Sequence, residues 1–177
     1  RRSYDVPSMT LDQVYGGVAA ESEVGSQAVE TTRTLVLKYA GRIVNAPYSS
    51  TCGGETAAAS EIWRSEDEPY LRHVSDKIPG TDRYYCDIAP RFRWARTLES
   101  RTLNAALAQY LAHYAKVANG RVGVAQSVVI GSRTESGRVG TLIVTTDRWR
   151  FTLRGNDIRY VMRAPGDEIL NSTYFSV

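Results

Sequence analysis

The clearest periodicity in the chain runs through residues 98–118. There Leu103, Leu107, Tyr110, Leu111, Tyr114 and Val117 recur at steps of three and four, the spacing that gathers side chains on one helix face. Asn119 and Gly120 follow where a C-terminal cap would stand. Residues 26–33 predict a shorter helix, with Ala28, Val29 and Thr32 on one face and Ser26 as its N-cap. Residues 57–64 predict one or two helical turns, ended near Pro69 because proline disfavours helix in the residue before it. Ahead of these, residues 10–18 place a short apolar run before Gly16 and Gly17, as a strand entering a turn would. Residues 35–39 and 43–46 read as a hairpin about Ala40, Gly41 and Arg42.

The last third changes period. Residues 122–131, 139–146, 149–153 and 158–162 are strand-like runs bounded by Gly, Asp or Asn. In residues 148–154 the aromatics fall on one side and the arginines on the other, which predicts a sheet with a basic face. Arg91, Arg93 and Arg96 interleave with Phe92 and Trp94 and predict a further strand with one wet face, although the same residues could stack on bases or sugars. The pattern as a whole predicts an α+β fold: a mostly antiparallel β domain with one long amphipathic helix at about 98–118 and short helices besides. Neither repeats nor linkers interrupt it.

Composition narrows the class. A chain of 177 residues with 42% hydrophobic and 23% charged residues predicts one globular domain spanning residues 1–177, able to bury its own core. No window reaches the roughly 18 consecutive apolar residues of a membrane span. The 22 basic and 19 acidic residues are scattered, giving a net charge of +3 and little of the concentrated field that a nucleic-acid groove shows. The chain opens at Arg1, which predicts a processed or trimmed start.

Candidate chemistry concentrates in Tyr48-Ser49-Ser50-Thr51-Cys52-Gly53-Gly54. The run sets an aromatic ring, hydroxyls and a thiol against two glycines, which permit positive φ and let a ligand approach backbone N–H groups. A Ser/Thr turn between strands would use the same residues. Cys52 and Cys86 are the two cysteines, too few for a disulfide scaffold or a self-sufficient zinc site. One disulfide between them would close a loop of more than thirty residues and contribute about 3 kcal/mol. Two thiols lining a pocket, with His73 as an extra zinc ligand, is the competing reading, and unpaired cysteines the third.

Several blocks together carry a resemblance: DQVYGGV (12–18), AVETTRTLVLKYAG (28–41), YSSTCGGET (48–56), PYLRHV (69–74), SGRV (136–139) and STYFSV (172–177). In order and spacing they resemble the stage II sporulation protein D family and its amidase-enhancer relatives, over about residues 10–177. YYCDIAPRFRWARTL (84–98) resembles the variants of that family with a cysteine in the loop, which implies that Cys52 and Cys86 meet in space.

The resemblance implies an exported domain of the cell envelope whose partner is peptidoglycan. In that family glycan strands, often stripped of stem peptides, are cut by lytic transglycosylation, whereas the enhancer relatives assist a wall amidase. Cutting needs a carboxylic acid to protonate the glycosidic oxygen. In the family this is a glutamate upstream of the DQVYGG block, where this chain offers only residues 1–9. The resemblance therefore implies an N-terminally incomplete domain, inactive alone and completed by a separate N-terminal segment or chain; the alternative is a glycan-binding or amidase-enhancing module. Glu55 is a weak candidate for a replacement acid, with a solvated loop charge as the plainer explanation. Gln13, Tyr15, Thr32, Tyr48, Ser50, Thr51, Gly53 and Gly54 match the family's blocks and are expected to bind substrate by stacking, hydrogen bonding and close backbone approach. Tyr15 could equally be core, and Thr32 could bond back to its own helix. No cofactor is expected beyond the zinc alternative at the cysteines.

Overall fold

A computed structural model describes residues 16–63, 68–117, 121–164 and 166–177. Its contacts gather in two compact units, one up to Ala46 and one from Pro47 onward. The architecture is α+β, and every strand pairing among the described residues is antiparallel. Among the described residues no helix is long and apolar enough to cross a membrane.

In the first unit, helix α1 spans Glu23–Thr31. The Ser22 hydroxyl accepts the Gly25 N–H at 3.1 Å and so satisfies one of the donors orphaned at a helix start. The expected cap, Ser26, lies inside the first turn instead. The expected hairpin forms between β1, Lys38–Tyr39, and β2, Arg42–Ile43, with Lys38 opposite Ile43 and Tyr39 opposite Arg42. Ala40 at φ 46° and Gly41 at φ 78° make its turn, both in the left-handed region that a two-residue type I′ connection requires. The strand expected over residues 10–18 falls mostly outside the described residues, and Val18–Ala20 form a 3₁₀ turn.

The second unit carries the core. After a short helix α2, Ala59–Ile62, comes the long amphipathic helix α3, Ser100–Tyr114. It precedes an antiparallel sheet in the order β3 (Ala125–Arg133), β4 (Val139–Thr146) and β5 (Arg150–Arg154), and the chain then enters helix α4, Asn156–Val161. Leu107 and Leu111 of α3 pack with Leu142 and Val144 of β4, Phe151 and Leu153 of β5, and Ile158 and Val161 of α4. Each such side chain contributes on the order of 1.5–3 kcal/mol by leaving water. On β5 Phe151 and Leu153 point inward while Arg150, Thr152 and Arg154 face solvent, so the basic face is present.

Three expectations change. Residues 158–162, expected as a strand, lie in and just beyond α4. Ile158, Val161 and Met162 are buried at positions i, i+3 and i+4, and over so few residues helical and strand periods fit the same apolar spacing. Helix α3 stops at Tyr114, four residues short of its expected end, because Ala115 turns extended at φ −136°, ψ 150°. Its expected cap at Asn119 and Gly120 lies outside the described residues. Residues 91–96 are not a strand: Phe92 and Trp94 are half-buried and Arg91 and Arg93 exposed, so the alternation is kept without any ladder.

Candidate functional site

The loop at residues 50–56 is held in shape from beneath and from the side. Thr56 N–H donates to Val74 O at 2.9 Å and Asp76 N–H donates to Gly54 O at 3.0 Å, which lays the loop along residues 74–76 at the end of PYLRHV. Gly53 (φ 78°) and Gly54 (φ 107°) make the sharp bend. A Cβ on Gly54 would stand 3.0 Å from the Tyr84 ring, and one on Gly53 3.3 Å from Tyr174, so both close approach and backbone conformation demand glycine here.

The support from beneath is Arg138, the arginine of SGRV, which is only 5% exposed. Its Nη2 donates to Cys52 O at 2.8 Å and to Glu55 O at 2.6 Å, bridging the two ends of the glycine bend. Its Nη1 donates to Ser136 Oγ at 3.0 Å, and the guanidinium lies 5.3 Å from the Tyr174 ring centre. Ser136 in turn donates its N–H (3.1 Å) and its hydroxyl to the Glu61 carboxylate on α2. Burial lowers the Arg138 pKa, and Glu61 opposes that shift. Sequence reasoning singled out neither Arg138 nor Glu61; SGRV entered only as part of a resemblance.

Beside this loop lies a cleft of about 230 Å³. Ser50, Thr51, Cys52 and Gly53 form one wall, Phe92 and Trp94 a second, and Ser172 and Tyr174 of the C-terminal segment a third. Arg91, Arg159 and residues 169–171 complete it, and no Asp or Glu lines it among the described residues. Of the expected binding residues, Ser50, Thr51 and Gly53 reach the cleft. Gly54 packs on Tyr84 instead, and Tyr48 is 80% exposed just before the loop. Thr32 donates its hydroxyl to Ala28 O at 2.8 Å, within its own helix. Gln13 and Tyr15 lie outside the described residues.

The cysteines do meet: Cys52 Sγ and Cys86 Sγ are 3.0 Å apart as free thiols. Asp76 stands with them, accepting the Cys86 N–H at 2.9 Å, and one ligand atom from each of the three residues lies within 4.8 Å of the others. That donor set of two sulfurs and one oxygen could hold a zinc ion needing one further ligand. Burial, with Cys86 alongside, pushes the Cys52 thiol up to about 12. Hydrogen bonds from Cys86 hold the Asp76 carboxyl below the ordinary carboxylate range.

A family model described as "Domain of unknown function (DUF8618)" matches residues 81–177, more than half of the chain. The chain belongs to the DUF8618 family. Two curated relatives add to this. An amidase enhancer of Bacillus subtilis (strain 168) is 38% identical over 99 residues, which are 56% of this chain and 12% of the relative. An uncharacterized protein of Brachyspira hyodysenteriae is 28% identical over 150 residues, 85% of this chain and 38% of the relative. The chain thus spans well under half the length of the curated relatives it matches. No solved structure matches it.

In this DUF8618 member the histidine that the competing zinc reading would place beside the thiols is engaged elsewhere. His73 Nδ1 lies 2.8 Å from Glu55 Oε1, and Nε2 lies 3.3 Å from Glu135 Oε1. Glu55 is thereby turned toward His73 and is absent from the cleft lining. The hydrogen bond to Glu55, then that to Glu135, raise the His73 pKa above its ordinary 6.5. A raised folded-state pKa means that the stabilisation is fully present below pH 6.5 and fades as pH climbs through the elevated value. An NMR titration of the His73 ring should therefore give a midpoint above 6.5, and Glu55→Gln should move it down. A midpoint at or below 6.5 would show that the pairing does not persist in solution.

Proposed function

We propose that this chain is a cell-wall module that grips peptidoglycan glycan and assists a wall amidase. The observation that carries the reading is the 38% identity to an amidase enhancer. The cleft supports it chemically. Pyranose rings present C–H faces that lie on aromatic side chains and hydroxyls that need partners, and this cleft sets Phe92, Trp94 and Tyr174 against Ser50, Thr51 and Ser172. An apolar ligand would not need so many hydroxyls. On this reading the protein acts in the exported cell envelope, and the Cys52–Cys86 pair closes as a disulfide there, fixing the loop that forms one wall of the cleft.

The resemblance to lytic transglycosylases extends the proposal in one direction. The cleft hydroxyls would orient a strand and stabilise developing charge, while the proton donor that glycosidic cleavage requires would come from outside the described residues. The test is to add the chain to a wall amidase acting on intact peptidoglycan. Release of stem peptides should rise several-fold with chain concentration, and the chain alone should release neither stem peptides nor anhydro-sugar ends. An unchanged amidase rate would reject the enhancing role. Anhydro-sugar ends formed by the chain alone would replace it with autonomous cleavage.

A further inference from the structure

The guanidinium of Arg159 is half-buried without a countercharge among the described residues. It projects from α4, where Nε donates to Leu170 O at 2.7 Å and Nη1 donates to Asn156 Oδ1 at 3.2 Å. Both acceptors are neutral. They fix the plane of the group without offsetting its charge, and Nη2 makes no bond among the described residues. Other arginines of the same unit are treated differently: Arg83 pairs with Asp87 at 2.9 Å, Arg96 with Glu168 at 3.1 Å and Arg163 with Asp167 at 2.9 Å. The buried Arg138 has the Glu61 carboxylate linked to it through Ser136. No carboxylate among the described residues is paired with Arg159, and burial lowers its pKa. Arg91, lining the same cleft, has no carboxylate partner among the described residues either. A partly desolvated cation is costly unless an anion meets it. Here the cleft lining supplies two cations, one of them held in orientation, and no anion among the described residues.

We propose that Arg159 and Arg91 form an anion subsite of the cleft that takes a carboxylate carried by the glycan. Planar guanidinium groups match carboxylates by parallel N–H···O bonds, and the aromatic walls at Phe92, Trp94 and Tyr174 set a sugar ring beside that charge. The cleft volume of about 230 Å³ suits one ring with its substituent rather than a long strand segment. The inference rests on the glycan-binding reading above. It adds that recognition depends on charge, so that chemical state of the wall polymer decides binding. Two sources in peptidoglycan offer this chemistry: the lactyl carboxylate exposed on a ring when its stem peptide is gone, and the terminal carboxylate of a stem peptide.

The test measures binding of the full chain to stripped glycan strands, to stem-bearing strands, and to both after their carboxyl groups have been converted to amides. Affinity should fall at least tenfold on amidation. Stripped strands binding more tightly would name the lactyl group, stem-bearing strands the stem terminus, and either supports the subsite. Arg159→Gln should bring the affinity for the charged ligand down to that for its amide. Arg91→Gln, at an exposed position where folding is not at stake, should lower it several-fold and flatten its salt dependence. Equal affinity for charged and amidated strands would overturn the subsite and leave glycan binding standing. Binding of neither would overturn both.

Discussion

Arg138→Ala should unfold the protein at markedly lower denaturant, with a loss of about 3–5 kcal/mol, the range for removing one member of a buried charged network. The variant strands several groups at once. Cys52 O and Glu55 O lose their shared donor, Ser136 Oγ loses the N–H aimed at it, and Glu61 loses the cation linked to it through Ser136. Each buried acceptor left unmade costs on the order of 1–3 kcal/mol. Arg138→Lys should recover only part of the loss, since one ammonium cannot span two carbonyls and a hydroxyl in the plane that a guanidinium fills. Arg150→Ala, on the solvent face of β5, should change stability by no more than about 0.5 kcal/mol and serves as the comparison. Urea unfolding followed by circular dichroism measures all three. A loss below about 1 kcal/mol for Arg138→Ala would mean that the loop is shaped by its own backbone contacts to residues 74–76 and not by the guanidinium.

The same network marks where a sequence stops being legible. Strand β4 stands at the residues its alternation predicts, and the hairpin turn at Ala40 and Gly41 follows from local chemistry. Helix α3 is visible from one periodic face, although its end is not, since Ala115 leaves the helix to pack its own side chain on the core. Helix α4 is the opposite case. Its six residues fit two periods, and burial against α3 and β5 decides between them. The loop at residues 48–54 announces itself by composition, but its ceiling and floor do not. Arg138 lies 86 residues from Cys52, and Glu61 lies 75 residues from Ser136, so no local pattern links them. His73 illustrates a further limit. The sequence places it only as an extra ligand in the zinc alternative, and the fold sets it between Glu55 and Glu135. The cleft itself joins the loop, residues 91–94, α4 and the C-terminal segment, four stretches whose convergence is a property of the packed core.

If the proposed Cys52–Cys86 disulfide forms, reduction should lower the protein's stability by roughly 3–4 kcal/mol, because opening the bond releases a loop of 34 residues in the unfolded chain. The fold has already carried the two sulfurs to 3.0 Å, so bonding requires little rearrangement of either segment. Under oxidising conditions the balance is two thiols giving up two hydrogens to an external oxidant, and the product leaves Asp76 as a hydrogen-bond acceptor for Cys86 N–H. Intact-mass measurement should show both thiols only after reductant, and the denaturation midpoint should fall in parallel. Replacement of both cysteines by serine should reproduce the reduced protein's stability and be insensitive to reductant. Thiol labelling of the untreated protein, combined with a fall in stability on adding a chelator, would instead assign Cys52, Asp76 and Cys86 to a metal ion. The distinction bears on the cleft directly, since Cys52 lines it. A disulfide fixes that wall permanently, whereas a metal would let the wall loosen whenever the ion departs, and the glycan affinity proposed for the cleft would then follow metal supply.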